Sequence, residues 1–572
     1  MTEVLHGLAA APGIGIGALV LYRPGLATPS ATPGDRATVD PQAEWQLFLT
    51  ARAQVDAELA SLGDNASSVV AEIFAAHRII LQDTTLLNSV QRVIFEEKTD
   101  AVSATHRVIN DLADLFRSLE DEYFAGRAAD IVDLGQRLLS HLGAEMSRPL
   151  LTKLPPNTVL VAEDLTPTEL TQLPAGHVVG IALAYSAPTA HSAILARSMG
   201  IPLVCTVGQT LMQWREPFGR GGDVIVDGNR GRVLFDVSQE ELARFTQLRQ
   251  SLLDQGALAL SHAYLPAATL DGVPVPILAN ANSPADVAAV RAVGADGIGL
   301  LRSEYLFRGR AVPPGFDEQR ETYIGFIAQV DHQLTVRALD AGGDKPVDYI
   351  AHHREDNPFL GLRGVRLLIA EPELLRTQYR ALRSAAHAAS GKLEVRFMLP
   401  MISAVEEIFA VRAILESPQD DECRLSPLKL GIMIEVPSAA LIAHSLAPLV
   451  DFFSIGTNDL SQYVLASDRT NSSVAKLADP LHPAVLHLIK ITCDAANAHG
   501  KPVSLCGEIA GDPLAAPLLL GLGVTELSVP LPSVPQIKET VRCVTLAHCR
   551  TLAADALMCD SAAAVRARLA QG

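Results

Sequence analysis

The sequence predicts a multidomain α/β protein, in which an α/β domain carrying an inserted helical bundle is followed by a C-terminal TIM (β/α)8 barrel. Three observations lead to this prediction. The chain has 572 residues, more than a single hydrophobic core accommodates. Residues 44–142 contain no proline and repeat apolar side chains at the three- and four-residue spacing of helices. Beyond residue 272, eight short apolar runs alternate with helical segments.

The composition favours a globular protein and argues against several functional classes. Hydrophobic residues make up 48% and charged residues 19%, outside the range of disordered chains. The formal net charge is −18 and no basic run occurs, so we expect no nucleic-acid binding. The seven cysteines contain no Cys-x-x-Cys pair, which argues against a zinc site. With neither a signal-peptide pattern nor a long apolar stretch, we expect a cytoplasmic protein without membrane insertion.

The predicted elements group into four segments along the chain. Short β-branched runs separated by helical stretches define a compact α/β domain in residues 1–40 and 145–236. The helical bundle fills residues 41–144, inserted after the first strand. A proline-free segment, residues 237–265, suits a linker helix, and residues 266–572 form the predicted barrel.

Eight apolar runs predict the barrel strands. They are Val275–Ala279, Gly297–Leu301, Leu334–Leu339, Val395–Leu399, Leu430–Ile434, Phe452–Ile455, Val503–Leu505 and Glu526–Val529. In a TIM barrel the chemistry takes place in the loops that follow the strands. Polar side chains just after these runs are therefore the candidates for a functional site.

Cationic side chains follow several of the predicted strands. The candidates are Arg302, Arg337, Lys345, Arg363 and Arg469. Arginine binds phosphate and carboxylate groups through two parallel hydrogen bonds, and lysine adds a point charge. One arginine at a strand end is more often a surface salt-bridge partner. Repetition of the pattern around a barrel instead favours a site for a small polyanion.

Two carboxylates and a thiol also follow predicted strands. Glu435 comes after the fifth strand, Asp459 after the sixth and Cys506 after the seventh. Carboxylates surrounded by cations stay ionised, so these two are better ligands for Mg²⁺ than general acids. The alternatives are a solvated loop acid at Glu435 and an inert buried thiol at Cys506, the commoner fate of a free cysteine.

Five blocks of sequence give the chain a resemblance to a known family. They are GLLRSEYLF (299–307), DAGGDK (340–345), NPFLGLR (357–363), DFFSIGTNDL (451–460) and CGE (506–508). In these blocks the chain resembles enzyme I of the bacterial phosphotransferase system, the phosphoenolpyruvate–protein phosphotransferases. The similarity runs from about Gly7 to about Arg550.

The resemblance implies roles for the residues at the strand ends. Phosphoenolpyruvate would be bound by Arg302, Arg337, Lys345, Arg363, Asn458 and Arg469. Glu435 and Asp459 would bind Mg²⁺. Cys506 would donate a proton to the pyruvate enolate, which suits a thiol acting as a general acid.

The predicted phosphoryl acceptor is His191, at the start of a predicted helix. Helix N-termini stabilise phosphate groups, and neutral imidazole is a competent nucleophile. Without context, a capping or core histidine would be more common. The resemblance favours His191 because it lies in the block that matches the family's swivelling phosphohistidine domain. This chain departs from that block: Ser186 and Ala187 replace two glycines, Ala190 replaces serine and Ser192 replaces threonine.

The helical insert resembles the part of the family that binds the phosphocarrier protein HPr. The matching block is Ile73-Phe74-Ala75-Ala76-His77-Arg78, which makes His77 a candidate contact residue. The alternative is that His77 packs in the core of a helix. The resemblance also implies release of pyruvate and a homodimer formed through the barrel.

Two alternative functions remain open. Phosphoenolpyruvate synthase and pyruvate phosphate dikinase share the histidine and the barrel but need an ATP-binding domain. The sequence has neither a glycine-rich lysine loop for ATP nor unassigned length for such a domain. A regulatory homologue that senses phosphoenolpyruvate without relaying its phosphoryl group is the other alternative, supported by the altered block before His191.

Overall fold

The structure is a computed structural model that divides into two compact units, the first comprising residues 1–254 and 471–473 and the second residues 255–470 and 474–572. The residues it describes are 2–22, 40–64, 74, 77–78, 80–118, 122–143, 151–186, 191–213, 223–342, 347, 349–350, 355–389, 393–416, 428–469, 471–475 and 477–571. Among these residues, no helix is both long enough and apolar enough to cross a membrane.

The first unit contains an eight-stranded mixed sheet. Its strands are β1 (Glu3–His6), β2 (Leu8–Ala11), β3 (Ile14–Tyr22), β4 (Thr158–Ala162), β5 (Val178–Leu183), β6 (Leu203–Cys205), β7 (Asp223–Asp227) and β8 (Arg232–Phe235). The spatial order is β1-β8-β7-β3-β4-β5-β6-β2. Strands β3 to β6 run parallel, and every residue of β4 is buried, as expected for a parallel strand covered on both faces.

Helices of the first unit cover this sheet or form the inserted bundle. They are α1 (Pro41–Asp64), α2 (Thr84–Glu96), α3 (Ala101–Ser118), α4 (Glu122–His141), α5 (Pro167–Thr171), α6 (His191–Ser198), α7 (Thr210–Gln213) and α8 (Gln239–Ser261), which contains the boundary between the units. The bundle, α1 to α4, follows the third strand and not the first, because the opening segment is divided into three strands. Its buried core includes Phe48, Val55, Val90 and Ile109.

The second unit is a closed barrel of eight parallel strands. They are β9 (Ile277–Ala281), β10 (Ile298–Arg302), β11 (Gln333–Arg337), β12 (Glu394–Leu399), β13 (Lys429–Ile434), β14 (Phe452–Ile455), β15 (Val503–Leu505) and β16 (Glu526–Pro530). Each strand pairs with the next along the chain, and β16 closes on β9. All eight predicted runs overlap strands, with some ends shifted by one or two residues, so the predicted multidomain α/β fold with a C-terminal TIM barrel is confirmed.

Fourteen further α-helices of the described residues follow the first barrel strand along the chain. They are α9 (Pro284–Ala289), α10 (Phe316–Ile327), α11 (Val365–Ala370), α12 (Pro372–Ala388), α13 (Val405–Leu415), α14 (Pro437–Leu441), α15 (Ala443–Leu446), α16 (Thr457–Val464), α17 (Ser472–Ala475), α18 (Pro483–Ala498), α19 (Ala516–Leu522), α20 (Val534–Arg542), α21 (Leu546–Leu557) and α22 (Ala562–Leu569). In α12, for example, Leu375, Tyr379 and Leu382 are buried at helical spacing.

The barrel interior is filled in layers. An apolar layer comprises Leu300, Met398, Met433, Phe452 and Cys506. Gly431 is required beside Phe452, because a Cβ at Gly431 would lie only 2.3 Å from the Phe452 Cζ atom. The barrel is therefore a packed core, and the polar side chains at the carboxyl ends of its strands rest on an apolar floor.

A charged network lies at the opposite, amino-terminal end of the barrel. Arg396 places Nη1 3.0 Å from Oε2 of Glu526 and also donates to Glu394. Lys429 Nζ lies 2.6 Å from the second oxygen of Glu394, and Gln333 Nε2 lies 3.4 Å from Glu526. We call these five residues the base network. Both of its carboxylates have cationic partners.

Candidate active site at the barrel mouth

A cavity of about 160 Å³ lies at the carboxyl ends of the barrel strands. Its lining residues are Leu300, Arg302, Arg337, Met433, Glu435, Gly456, Asn458, Asp459, Arg469, Cys506, Gly507 and Glu508. The barrel therefore brings seven of the nine residues predicted for this site to one cavity. Of the other two, Arg363 lies beside the lining and Lys345 falls outside the described residues.

The barrel strands position these side chains directly. Arg302 is the last residue of β10 and Arg337 the last of β11. Glu435 and Cys506 follow β13 and β15 without an intervening residue, and Asp459 lies in the first turn of α16. Because parallel strands all end at the same rim, residues distant in sequence meet there.

Arg337 is oriented by two carboxylates behind the cavity. Its guanidinium donates to Glu304 and lies 3.3 Å from Oδ2 of Asp340. Burial alone would lower the pKa of Arg337, but the charges of Glu304 and Asp340 raise it above its usual value. Arg337 therefore stays charged, and its guanidinium is held in one orientation.

Arg363 is fully buried and bridges two carboxylates. Its Nε and Nη2 atoms lie 3.1 and 3.0 Å from the two oxygens of Asp340, and Nη1 lies 3.1 Å from Oδ1 of Asp459. The sequence predicted that Arg363 binds substrate directly. In this structure Arg363 does not line the cavity, and its guanidinium pairs with Asp459.

Glu435 is buried with an incompletely neutralised charge. Its Oε1 accepts a 2.6 Å hydrogen bond from the backbone N–H of Met401. Burial, together with the nearby carboxylates of Asp459 and Asp340, raises the pKa of Glu435 to about 7. A side chain at Gly456 would crowd this carboxylate, since a Cβ there would lie 3.2 Å from the second oxygen of Glu435.

Asp459 is the more strongly paired of the two acids. Besides Arg363, Arg469 places Nη2 3.5 Å from its Oδ1 atom. Burial would raise the pKa of Asp459, but the two guanidiniums hold it below its usual value. One acid of the cavity is thus neutralised by cations and the other is not.

Cys506 forms part of the cavity floor. Its Sγ accepts a hydrogen bond from Ser454 Oγ at 3.3 Å, and its backbone carbonyl accepts one from Asn280 Nδ2 at 3.2 Å. Burial raises the pKa of the Cys506 thiol above its usual value, although the Ser454 bond opposes the shift. The sulfur therefore keeps its proton at neutral pH, as a proton donor must.

A larger cavity of about 430 Å³ lies among the outer helices of the barrel unit. Its lining is mainly apolar and includes Leu258, Leu514, Pro517 and Leu552. None of the described residues that line it is an arginine or a lysine. It therefore lacks the cations that a polyanionic substrate needs, and the smaller cavity is the better candidate.

His191 is the first residue of helix α6 in the first unit, as predicted. The side chain of His191 lies outside the described part of the structure, as do Ala187 and Ala190. The two serines of this block are described and buried: Ser186 follows β5, and its Oγ lies 3.0 Å from Oγ of Ser192.

His77 has no exposed surface, which corrects the prediction that it contacts a partner protein. Its ring lies inside the helical bundle, with Nε2 3.2 Å from Asp130 and Nδ1 3.6 Å from Asp133. Asp133 in turn lies 3.3 Å from Arg137 Nε. A ring enclosed by charged partners packs the bundle core and cannot touch a docked protein in this conformation.

Comparison with known families gives three matches along the chain. Residues 6–127 match the PEP-utilising enzyme N-terminal domain, residues 154–231 the PEP-utilising enzyme mobile domain, and residues 257–546 the PEP-utilising enzyme PEP-binding domain. The last match covers the barrel and its cavity.

Curated relatives match over almost the full length. The phosphoenolpyruvate-protein phosphotransferase of Bacillus sp. (strain S) is 39% identical over 555 residues, covering 94% of each chain. This chain belongs to the phosphoenolpyruvate–protein phosphotransferase family. This family is the enzyme I family that the sequence resembles.

Two further relatives of the enzyme I family are longer proteins. The multiphosphoryl transfer protein of Rhodobacter capsulatus is 42% identical over 87% of this chain, and that of Xanthomonas campestris pv. campestris is 39% identical over 99% of it. The chain spans 59% and 66% of the lengths of these two relatives.

Glu435 and Asp459 fit a hard divalent cation such as Mg²⁺. Both line the cavity and both offer oxygen donors, and a bound cation would offset the burial and neighbouring acids that disfavour the charged form of Glu435. Within the described ranges, no group of three or more His, Cys, Asp or Glu side chains is placed to hold a metal ion. A cation there would complete its shell with water and substrate oxygens, as Mg²⁺ usually does.

Two carboxylates that shape this enzyme I-type site were not among the predicted site residues. Glu304 pairs with Arg337, and Asp340 lies between Arg337 and Arg363. Both belong to sequence blocks that carry the family resemblance, which was the available signal. The pair of Glu304 with Arg337 could not be deduced because it joins two strands, and the pair of Asp340 with Arg363 could not be deduced because it spans a long loop.

Proposed function

We propose that this chain catalyses transfer of the phosphoryl group of phosphoenolpyruvate to His191, releases pyruvate, and passes the group to a histidine of an HPr-type carrier. The observation that supports the proposal most strongly is the convergence of Arg302, Arg337 and Arg469 with two carboxylates and the Cys506 thiol on one small cavity. Three cations facing a protonated thiol suit a substrate that is a phosphorylated enol.

Binding of phosphoenolpyruvate would rest on the arginines. Arg302 is exposed at the rim, Arg469 is about 29% exposed, and Arg337 is held rigid by its buried partners. Bidentate guanidinium contacts would bind the phosphate and the carboxylate of the substrate. Fixed cations also stabilise charge that spreads over the transferring group.

Glu435 and Asp459 would hold Mg²⁺ beside these arginines. When bound, the cation would supply Lewis-acid neutralisation of the substrate oxygens. Arg363 and Arg469 would hold Asp459 in place for that purpose, and the Met401 N–H would hold Glu435.

Cys506 would complete the reaction on the pyruvate side. Cleavage of the phosphorus–oxygen bond leaves the enolate of pyruvate, and the Cys506 S–H would give its proton to the terminal carbon. The resulting thiolate would regain a proton from solvent after pyruvate leaves. The raised pKa of the thiol and the bond from Ser454 support this role.

His191 would receive the phosphoryl group at the start of helix α6. An unprotonated ring nitrogen attacks phosphorus in line, and free N–H groups of a helix N-terminus favour the anion that forms. One histidine must reach two partners, so the proposal includes a swivelling movement of its domain. It also includes a barrel-mediated homodimer and a cytoplasmic location.

The deciding experiment is intact-protein mass spectrometry after incubation with phosphoenolpyruvate, with and without Mg²⁺. The unaltered chain should gain one acid-labile phosphoryl group when Mg²⁺ is present. His191→Ala should gain none, whereas the exposed His6→Ala control should behave like the unaltered chain. Acid-labile phosphate on His191→Ala would contradict the proposal.

The second step is tested by adding a purified HPr-type carrier to the labelled protein. Movement of the label to the carrier supports the relay. Label that stays on this chain would instead favour a phosphoenolpyruvate-sensing regulatory protein. Formation of phosphoenolpyruvate from ATP and pyruvate would favour a dikinase-type activity.

A further inference from the structure

Gln378 is a polar residue on the apolar face of helix α12. Its side chain has no exposed surface, and the buried residues around it on the helix include Leu375, Tyr379 and Leu382. A buried amide costs free energy unless its polar atoms are hydrogen-bonded. A methionine would fill similar space without that cost, so the reason for an amide here lies in its contacts.

The Gln378 amide uses its carbonyl oxygen and its amino group in hydrogen bonds to three residues. Its Oε1 atom accepts a 3.0 Å bond from the Leu339 N–H. Its Nε2 atom donates to the Ser303 hydroxyl at 2.9 Å and to the Tyr323 hydroxyl at 3.2 Å. A rotated amide would turn its own N–H groups toward the Leu339 N–H, so only one orientation fits these partners. Gln378 is therefore a fixed link between three neighbours.

Ser303 extends this link to the end of strand β11. Its hydroxyl donates a 2.8 Å hydrogen bond to the backbone carbonyl of Arg337. Serine is a favoured N-cap residue, yet this hydroxyl makes no capping bond to the 3-10 turn that begins at Glu304. Its bond instead joins strands β10 and β11 at the point where their pairing ends, at Arg302 and Arg337.

The residues that Gln378 holds lie next to the two cations of these strands. Ser303 follows Arg302 directly, and Leu339 lies two residues after Arg337. Both arginines line the cavity at the barrel mouth, whereas Gln378, Ser303 and Leu339 do not. Gln378 can therefore influence a ligand in the cavity only through the groups that it holds.

The same links reach the two carboxylates that orient Arg337. Glu304 follows Ser303 in the chain, and Asp340 follows Leu339. Glu304 accepts a hydrogen bond from the Arg337 guanidinium, and Asp340 Oδ2 lies 3.3 Å from it. The backbone beside Arg337 and beside both of its acidic partners is thus tied to one buried amide.

We propose that Gln378 is a positioning residue that holds Arg302 and Arg337 in the directions needed to bind the two anionic groups of phosphoenolpyruvate together. The proposal rests on the proposed function and adds Gln378 and Ser303 to it. Without the amide, both cations remain, but the ends of strands β10 and β11 are no longer fixed to each other. Substrate binding should then weaken beyond any loss of stability.

The competing interpretation is that the amide only stabilises the fold, and Gln319 on helix α10 provides the matched control. Its side chain is 1% exposed and donates a 2.9 Å hydrogen bond to the Pro314 carbonyl. Gln319 does not line the cavity. Replacing either glutamine by methionine removes a buried amide from an outer helix of the barrel unit.

The first test measures KM and kcat for phosphoenolpyruvate per folded molecule. Gln378→Met should raise KM roughly tenfold and change kcat less than about threefold, because the arginines bind the substrate before and during transfer. Gln319→Met should leave KM unchanged, although urea denaturation should show that both variants are less stable. An unchanged KM in Gln378→Met would overturn the proposal.

Ser303→Ala breaks the same link at its other end and decides the matter if Gln378→Met does not fold. It should raise KM by a similar factor. The double variant should be no worse than the more impaired single variant, because both changes act through one link. Factors that multiply in the double variant would show that Gln378 and Ser303 act separately and would contradict the link.

A structural test does not depend on the proposed function. In crystal structures of the unaltered chain and the two methionine variants, the Arg337 guanidinium and the Arg302 backbone should be displaced by about 1 Å in Gln378→Met only. If the unaltered chain is not phosphorylated, the proposed function fails and these structures still decide whether Gln378 orients the arginines. If phosphorylation occurs but neither arginine moves, the proposed function stands and the role of Gln378 is refuted.

Discussion

The two ends of the barrel carry similar residues in different electrostatic arrangements. At the amino-terminal end, Lys429 and Arg396 lower the pKa of Glu394 even though burial opposes them. At the carboxyl end, burial and neighbouring acids raise the pKa of Glu435 to about 7. The base network is neutralised within itself, whereas the mouth retains an unneutralised acid and exposed cations.

On the proposed function, this difference separates residues that stabilise the fold from residues that bind substrate and Mg²⁺. A closed network of ion pairs leaves no charge for a ligand, so its effect is on stability. An acid with a raised pKa beside a cavity costs stability and is retained where a ligand compensates it. Substitutions in the base network and at the mouth should therefore have different effects on stability and activity.

The largest expected effect is on stability, at the base network. Arg396→Met leaves Glu526 buried without its guanidinium and should lower the free energy of unfolding by about 3–5 kcal/mol in urea denaturation. The double variant Arg396→Met with Glu526→Leu should recover most of the loss, because no charge is left unpaired. An equal loss in both variants would show that packing of Arg396 against the Phe452 ring, 5.1 Å away, matters more than charge.

The largest effect on activity is expected at Glu435. Glu435→Gln keeps the side-chain shape but removes the metal-binding charge, and should slow phosphorylation of His191 about 10²–10³-fold. The matched control is Glu526→Gln, which makes the same change at the other end of the barrel. It should leave the rate per folded molecule nearly unchanged. Equal phosphorylation rates in Glu435→Gln and Glu526→Gln would contradict the expected difference between the two ends of the barrel.

Mg²⁺ should stabilise the protein by binding at the mouth of the barrel and not at the base network. At a concentration 100 times its dissociation constant, Mg²⁺ should add about 2.7 kcal/mol to the free energy of unfolding, seen as a higher melting temperature. Glu526→Gln should keep this response and Glu435→Gln should lose it. A response that survives in Glu435→Gln would place the cation elsewhere.

The smallest expected effect is on KM and comes from changing the shape of the cationic side chain at Arg302. Arg302 makes no ion pair with any described residue, so its guanidinium is available to substrate. Arg302→Lys keeps the charge but loses the bidentate geometry, and should raise KM for phosphoenolpyruvate roughly tenfold. Arg291→Lys, in an exposed pair with Asp331, should leave KM unchanged. Similar KM values for the two variants would argue against a bidentate contact at Arg302.

The barrel could be predicted from the sequence because its signals are local. Each strand is a short apolar run between helical segments, and parallel strands place their ends at one rim. That rule alone was enough to group Arg302, Glu435 and Cys506, which are far apart in sequence. The order of the strands follows from their order along the chain.

Most of these charge pairs could not be predicted, because they join residues that are far apart in sequence. Arg363 was expected to bind substrate but is enclosed by Asp340 and Asp459. Nothing in its local sequence shows that both partners lie within reach. The same reason explains why Glu304 was missed.

The sequence around His77 contains a pattern that indicates a buried position. Phe74, His77 and Leu81 are spaced three and four apart and are all buried, as one apolar helix face would be. The histidine belongs to that face, with Asp130 and Asp133 compensating its polarity. Helical spacing would have favoured the core interpretation over the interface.

The Phe452 ring, packed against Gly431, bears on the path that substrate and product take to and from the cavity. Because these side chains fill the centre of the barrel, on the proposed function pyruvate would leave through the same mouth at which phosphoenolpyruvate binds. Phosphoenolpyruvate could then bind only after pyruvate has left, so slow release of pyruvate would limit the rate of turnover.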